Sequence, residues 1–263
     1  MPQPEIKNWL SIAKEATLLA GEFLRKADSS SRRINQDLIH DVKIEADLQS
    51  ERMIIDYLRK KSDFSILSEE SGLLSFPNAL KTFGGDSLQT SSRDEFFWIV
   101  DPVDGSLNYV RQLPISCVSI GLWQGEKPIL GSVYDFNRDE LFLGVVNEGA
   151  WLNDAFLTVS KIEGKQKAIL ASGFPAAADL SSESINAFVD HIQSYRKVRF
   201  LGSAAISIAY VACGRVDGYY ERDIMWWDIA GAVPVVLGAG GKIQIEKTAK
   251  AHCFNVYITN GRI

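Results

Sequence analysis

The sequence WIVDPVDGSLNY, residues 98–109, joins a short apolar run to a turn that carries two carboxylates. The apolar run is typical of a buried strand, and Pro102 and Gly105 mark the turn that follows it. Asp101 and Asp104 offer the hard oxygen ligands that Mg²⁺ prefers, and Gly105 lets a phosphate approach the backbone closely. An Asp-Pro-x-Asp-Gly sequence also favours a β-turn, so the stretch alone indicates either a metal and phosphate site or a structural turn.

The remaining residues of the turn can serve the same chemistry. Val103 has no polar side chain, but its carbonyl can bind a cation. The hydroxyl of Ser106 can orient a water molecule, and N–H groups beyond Gly105 can hold phosphate oxygens if Leu107 begins a helical turn. We therefore expect a compact site at the end of a strand.

Three further acidic positions have both a functional and a structural interpretation. Residues 68–71 read SEES, and two adjacent acids at a strand end are usually a solvated loop unless a positive charge lies near them. Asp47 and Asp228 each stand near the start of a predicted helix, where an aspartate commonly caps the helix. The residue pattern alone leaves these alternatives open.

Taken together, three segments resemble the inositol monophosphatase family. The central family pattern is D-P-[IL]-D-G-[TS]-x-N-[FY], and residues 101–109 here read DPVDGSLNY. SEES lies upstream, and residues 227–241, WDIAGAVPVVLGAGG, lie downstream in the family order. The resemblance covers nearly the whole chain and implies a layered α-β-α-β-α sandwich of the inositol monophosphatase and fructose-1,6-bisphosphatase type, built from α+β and α/β halves.

The resemblance also implies the residues of the site. It implies metal ligands at Glu70, Asp101, the Val103 carbonyl, Asp104 and Asp228, with Glu69 only as a neighbour. It implies that Glu70, Ser106 and Asp47 activate or hold the attacking water. The implied substrate contacts are Gly105, Ser106, Gly202, Ser203, Ala204, Glu221 and Asp228.

The expected reaction is hydrolysis of a phosphate monoester. The resemblance implies two or three Mg²⁺ ions as the cofactor. No Cys, His or Ser lies in a motif that pairs a nucleophile with a base, which favours in-line attack by metal-activated water over a covalent intermediate. The first substrate implied is inositol 1-phosphate or a similar small polyol or sugar phosphate. The alternatives are fructose 1,6-bisphosphate, histidinol phosphate and 3′-phosphoadenosine 5′-phosphate.

A different class of function stays open at this point, namely a regulatory protein that binds a macromolecular partner. Against a purely structural role, clustered acids repel one another unless a cation offsets their charge. A homodimer is expected from the resemblance alone.

Composition limits the other classes. The chain has 263 residues, of which 46% are hydrophobic and 23% charged, with a formal net charge of −5. Without a Lys/Arg-rich block, we expect no binding of polymeric nucleic acid. Without a long apolar run or a leader pattern, we expect a soluble, cytoplasmic protein that does not enter membranes. The three cysteines, Cys117, Cys213 and Cys253, are predicted to be reduced core residues.

Hydrophobic periodicity predicts two halves, residues 1–155 and 156–263. Helices are predicted at 5–27, from about residue 47, and at 184–194, 204–212 and 229–237. Strands are predicted at 64–67, 98–100, 116–123, 128–134, 140–146, 168–172, 198–201, 218–220, 242–245 and 255–259. The first half should form an antiparallel meander, and the second an α/β layer.

The chain departs from the family pattern in three places. Ile44 stands where the family commonly has threonine, and Gly238 stands where it usually has glutamate. Residues 72–94 form a longer segment than usual, which we expect to be a surface excursion near the mouth of the site.

Overall fold

The computed structural model describes residues 4–28, 33–37, 42–75, 95–173 and 181–263. The helices are α1 (Pro4–Lys26), α2 (Glu45–Lys61), α3 (Ser106–Val110), α4 (Ser182–Gln193), α5 (Ala204–Ala212), α6 (Trp226–Ala230) and α7 (Ala232–Gly238). The first ten strands are β1 (Ile34–Asp37), β2 (Val42–Ile44), β3 (Ser65–Ser68), β4 (Gly72–Leu74), β5 (Phe96–Asp104), β6 (Cys117–Gln124), β7 (Lys127–Asp135), β8 (Glu140–Val145), β9 (Gly149–Leu152) and β10 (Ala155–Phe156). The last five are β11 (Ile169–Ser172), β12 (Lys197–Phe200), β13 (Gly218–Met225), β14 (Lys242–Lys247) and β15 (Cys253–Thr259).

The strands form two large sheets and one small hairpin. The larger sheet has eight strands in the order β10-β9-β8-β7-β6-β5-β3-β4, antiparallel except that β3 runs parallel to β5. The second sheet has five strands in the order β12-β11-β13-β15-β14. In it β11 pairs in parallel with β12 and β13, whereas β15 is antiparallel to β13 and β14. Strands β1 and β2 pair with each other.

The helices separate and cover the two sheets, giving the layer order α-β-α-β-α. One face of the eight-stranded sheet packs on α1 and α2, around buried residues such as Trp98 and Leu122. Its other face packs on α5, α6 and α7, which also contact the five-stranded sheet. Near α4, Tyr195 is buried on the outer face of that second sheet. This is the layered sandwich that the resemblance implied.

Close contact between the large sheet and the middle helices requires glycine. A Cβ on Gly131 of β7 would lie 1.9 Å from the carbonyl oxygen of Gly231, between α6 and α7. On the next strand, a Cβ on Gly144 would lie 2.3 Å from the Cα of Val235. The backbone of α6 and α7 therefore lies directly on the sheet, where no side chain fits between them.

Most of the predicted elements are present, with shifted ends. The helix predicted at 229–237 is divided at Gly231, and Pro234 lies in the first turn of α7, where a missing N–H breaks no helical bond. The strands predicted at 98–100 and 218–220 extend to Asp104 and Met225. The β1–β2 hairpin was not predicted. The surface excursion predicted at 72–94 lies largely outside the described residues, although its start forms β4.

The eight-stranded sheet ends at Phe156 and the five-stranded sheet begins at Ile169, close to the predicted boundary at residue 155. The division into two subdomains stays a prediction. The three cysteines are unpaired. Among the described helices, none has the length and apolarity needed to cross a lipid bilayer.

Candidate active site

The acidic residues meet at one edge of the large sheet because β3 and β5 are parallel. Ser68 at the end of β3 pairs with Val100 of β5, so the chain beyond each strand leaves at the same edge. Glu69 follows Ser68, and its backbone N–H donates to the Val100 carbonyl at 3.2 Å. Asp101 follows Val100 directly. Two segments that are 32 residues apart in the sequence are thus brought side by side.

A β-bulge places Asp101 and Asp104 on the same face of β5. Residues three apart on a regular strand point to opposite faces. Here Asp101 pairs with Ser119 and Asp104 with Cys117, so β5 carries one residue more than β6 between these pairs. Both aspartates therefore face the side on which α5 and α6 lie.

Asp104 joins the two halves of the chain by accepting hydrogen bonds from the start of α5. Its Oδ1 accepts from the backbone N–H of Ala204 at 3.1 Å, and its Oδ2 accepts from that of Ala205 at 2.9 Å and from the Ser203 hydroxyl. Burial raises the pKa of Asp104, and these hydrogen bonds act in the opposite direction. Ser203 and Ala204, expected to contact substrate, are thus engaged with Asp104.

Asn108 fixes the same junction and was not singled out from the sequence. Its Nδ2 donates to the carbonyls of Ile115 and Leu201, both at 2.9 Å, and lies 3.2 Å from that of Gly202. The signal available in the sequence was its place in the DPVDGSLNY pattern. Gly105 lies beside it with φ of 84°, and a Cβ there would lie 2.9 Å from the Ile115 carbonyl oxygen, so both conformation and space require glycine.

Asp47 and Ser106 form a pair at the start of two helices. The Ser106 hydroxyl lies 3.1 Å from Asp47 Oδ1 and 2.8 Å from the Val103 carbonyl, and its one proton can satisfy either acceptor. The other oxygen of Asp47 accepts from the Ile44 N–H at 2.9 Å, at the start of α2. Asp47 is therefore not the N-cap residue but the third residue of α2, and its carboxylate binds the N-cap backbone from within the first turn. The same carboxylate also reaches Ser106. Leu107 belongs to α3, so a helical turn begins here as expected.

Asp228 has the same double role. It stands third in α6, and its Oδ2 accepts from the Met225 N–H at 3.1 Å, which caps that helix. Its charge also reaches Asp101, because it is one of the groups that raise the pKa of Asp101.

The charges of these acids converge on Asp101. Burial is the main cause that raises the pKa of Asp101 well above its ordinary value, followed by the charges of Glu69, Asp104, Asp228 and Asp47. Asp101 is 1% exposed, so water screens this repulsion little. Four acids, of which only Asp104 shares β5 with it, therefore repel the charged form of the buried Asp101.

The structure gives Glu69 and Glu70 different surroundings, while their roles as neighbour and metal ligand stay predictions. Glu70, predicted as the metal ligand, forms an ion pair with Lys43, whose Nζ lies 2.7 Å from Glu70 Oε2. The Glu70 side chain is only 6% exposed. Glu69, predicted as a mere neighbour, is the largest charged contributor to the raised pKa of Asp101. The sequence could not distinguish these two adjacent acids, because the partner that separates them is 27 residues away.

The donor set suits a hard divalent cation. Carboxylates and a backbone carbonyl are the oxygen ligands that Mg²⁺ prefers, and a cation would offset the repulsion around Asp101. As their side chains stand, however, no three His, Cys, Asp or Glu residues in the described part of the chain form a closed ligand set. The acids are thus not gathered into one ligand set as they stand, and the Val103 carbonyl is one of two acceptors within reach of the Ser106 hydroxyl.

Glu221 lies on β13, near enough to Asp104 for the charge of Asp104 to act on it. It is 9% exposed and accepts a hydrogen bond from the Tyr219 hydroxyl. Burial raises its pKa to about 7, with the hydrogen bond lowering it and the charge of Asp104 raising it. Gly173 allows this position, because a Cβ there would lie 2.1 Å from Glu221 Oε2.

Known proteins share this fold and sequence. An inositol-1-monophosphatase from Synechocystis sp. is 34% identical over 98% of this chain and 84% of its own length. The Nus factor SuhB from Pasteurella multocida is 35% identical over 89% of this chain and 84% of its own. The solved inositol monophosphatase from Anabaena (Nostoc) sp. PCC 7120 superposes with a TM-score of 0.80, at 34% identity, covering 98% of this chain and 93% of that one.

This fold and its acidic edge define a phosphatase, a hydrolase of phosphoric monoesters. The family model described as the inositol monophosphatase family matches residues 5–250, and the chain belongs to that family. Members of the family depend on a metal ion.

Proposed function

We propose that this chain hydrolyses the phosphate monoester of a small polyol, with inositol 1-phosphate as the first candidate and Mg²⁺ as the cofactor. The observation that carries the proposal is the convergence of acidic charges on the buried Asp101. Such an arrangement is costly without a cation and suits one that binds a phosphate. Family membership and the Synechocystis relative support the same substrate class.

The residues that would hold Mg²⁺ are Glu69, Asp101, the Val103 carbonyl, Asp104 and Asp228. Glu69 takes the place first expected of Glu70, because its charge acts on Asp101 while Glu70 is paired with Lys43. When bound, the metal ions supply Lewis acidity, which makes a water molecule a stronger nucleophile and neutralises charge on the phosphate and leaving oxygen.

The chain itself supplies the groups that orient the nucleophile. The Ser106 hydroxyl, shared between Asp47 Oδ1 and the Val103 carbonyl, can accept a hydrogen bond from a water molecule beside it. Asp47 can take the proton that this water loses, since its carboxylate lies within hydrogen-bond distance of Ser106. Gly105 takes the left-handed conformation from which α3 begins, and the N–H groups of that turn would donate to phosphate oxygens.

Glu221 and the Gly202 turn would bind the alcohol part of the substrate. The Glu221 carboxyl is oriented by the Tyr219 hydroxyl. A buried, oriented carboxyl suits a substrate hydroxyl, since a site built for an OH group rejects substrates that lack one. This favours a polyol or sugar over an apolar alcohol.

The test is phosphate release from a panel of four compounds, each with Mg²⁺ and with a chelator. The panel contains inositol 1-phosphate, fructose 1,6-bisphosphate, histidinol phosphate and 3′-phosphoadenosine 5′-phosphate. We expect Mg²⁺-dependent release, greatest on inositol 1-phosphate, and loss of about 10³-fold or more in Asp101→Asn. Asp154→Asn, at an exposed turn, is the matched control. Full activity in Asp101→Asn would contradict the proposed mechanism.

A second candidate is a regulatory protein that acts by binding another macromolecule. The observation in its favour is the 35% identity to a Nus factor. Stabilisation of the fold by Mg²⁺ without hydrolysis of any compound in the panel would support this candidate over the enzyme. Release of phosphate from one compound would favour the enzyme.

A further inference from the structure

The turn that carries Glu69 is held by side chains from two other elements. Residues 69–71 connect β3 to β4. From β2, Lys43 Nζ donates to Glu70 Oε2 at 2.7 Å. From α2, Glu51 accepts from both the N–H and the hydroxyl of Ser71, at 3.0 and 2.6 Å. The two residues after Glu69 are therefore each bound to a different partner.

These bonds are shielded from water. Glu51 is 4% exposed, and the Glu70 side chain is 6% exposed, against 33% for that of Lys43. Hydrogen bonds in which a partner is ionised are about twice as strong as neutral ones, and at low exposure water screens them little. They are suited to fix the geometry of a short turn.

We propose that Lys43 and Glu51 are positioning residues that clamp this turn so that Glu69, rather than Glu70, faces Asp101. This inference rests on the proposed function, in which Glu69 is a ligand of Mg²⁺. Adjacent acids cannot both point to one place without close repulsion, and the Lys43 ammonium draws Glu70 away. Residues that orient metal ligands commonly change metal affinity by about 10- to 100-fold when they are replaced.

The direction in which Mg²⁺ affinity changes when Lys43 is removed distinguishes a positioning role from a purely electrostatic effect of its charge. An ammonium group near a cation site repels the cation, so removal of Lys43 should tighten Mg²⁺ binding if its charge alone matters. If Lys43 positions the turn, its removal should weaken Mg²⁺ binding instead. Ser71→Ala provides a second comparison, because it loosens the same turn without changing any charge.

The experiment is calorimetric titration of Mg²⁺ into the full chain, with kcat and KM measured alongside. We expect Lys43→Met to weaken Mg²⁺ binding about tenfold and Ser71→Ala to weaken it several-fold. Lys43→Arg should restore most of the affinity, because it keeps the ion pair. KM for substrate at saturating Mg²⁺ should change little.

Lys247→Met is the matched control. It breaks the ion pair of Lys247 with Glu126, which lies in the β6–β7 turn at the opposite end of the sheet from Asp101. Unchanged or tighter Mg²⁺ binding in a folded Lys43→Met would overturn the inference while an active wild type upholds the proposed function. A wild type that neither binds Mg²⁺ nor releases phosphate would count against the proposed function itself.

Discussion

Asp101 and Asp104 are three residues apart and face the same way, yet their surroundings are different. Asp104 accepts bonds from Ser203, Ala204 and Ala205, so its charge is stabilised by the start of α5. Asp101 accepts from the Val103 N–H at 3.1 Å and is surrounded by the charges of other acids. The same substitution should therefore have opposite effects on stability at the two positions.

For Asp101→Asn we expect loss of phosphate release together with a more stable metal-free protein. The neutral amide keeps the shape of the side chain and removes the charge that repels four other acids. A gain of about 1 kcal/mol would raise Tm by roughly 2–4 °C in a protein of this size. Thermal unfolding in chelator measures the effect. A lower Tm than that of the wild type would show that the acids do not repel one another as described.

For Asp104→Asn we expect loss of both activity and stability. Each carboxylate oxygen faces a backbone N–H, so either orientation of the amide places its NH₂ group against a donor. One buried hydrogen-bonding group left unsatisfied costs about 1–3 kcal/mol. Urea unfolding in chelator measures the loss, with Asp101→Asn as the comparison. Equal stability of the two variants would contradict the different surroundings of the two acids.

Among elements, the contact between the large sheet and the middle helices should be the least tolerant of added volume. A methyl group on Gly131 would meet the carbonyl oxygen of Gly231 at 1.9 Å, and a backbone atom cannot turn away as a side chain can. We expect Gly131→Ala to destabilise the protein by about 2–3 kcal/mol, as in other overpacked cores.

Gly218→Ala on β13 is the matched control for this prediction. Its added Cβ would lie 3.2 Å from the nearest atom, the Ile258 carbonyl oxygen, so a small shift can accommodate it. Denaturant unfolding of both variants compares them directly. If Gly131→Ala lost no more stability than Gly218→Ala, the backbone contact would not be as close as the structure has it.

The sequence predicted elements better than it predicted contacts. Helix α1, the meander and α5 were confirmed, because hydrophobic period and turn residues are local signals. The bulge that aligns Asp101 with Asp104 depends on pairing with β6, which no local pattern records. The different surroundings of Glu69 and Glu70 could not be predicted for the same reason, because Lys43 pairs with Glu70 from another strand. The resemblance located the acidic positions, and packing decided how they face.

For the whole molecule, the site is complete only when both sheets are in place. Asp101 and Asp104 end a strand of the large sheet, whereas Asp228 and Glu221 come from the second half of the chain. The bonds from Asp104 and Asn108 to residues 201–205 hold that junction together. Loss of that junction should therefore abolish activity.

Glu221 should make the stability of the whole molecule depend on pH. Burial raises the pKa of this carboxyl from 4.5 to about 7 on folding. The folded state therefore holds the proton more tightly than the unfolded state does, and the resulting stability is full below pH 4.5 and declines as pH rises to about 7. Since one pKa unit corresponds to about 1.4 kcal/mol, the loss reaches about 3 kcal/mol by pH 8.

Glu221→Gln should remove this loss, because the amide does not ionise and can still accept the bond from Tyr219. We expect the variant to gain about 2–3 kcal/mol over the wild type between pH 5 and pH 8, with little further change above pH 8. Urea unfolding in chelator across this range measures the difference, and Glu246→Gln, exposed on the same sheet, should show none. Parallel stability curves for Glu221→Gln and the wild type would mean that folding does not raise the pKa of Glu221. The side chain would then be charged in the folded protein at neutral pH, and a substrate hydroxyl would meet a carboxylate.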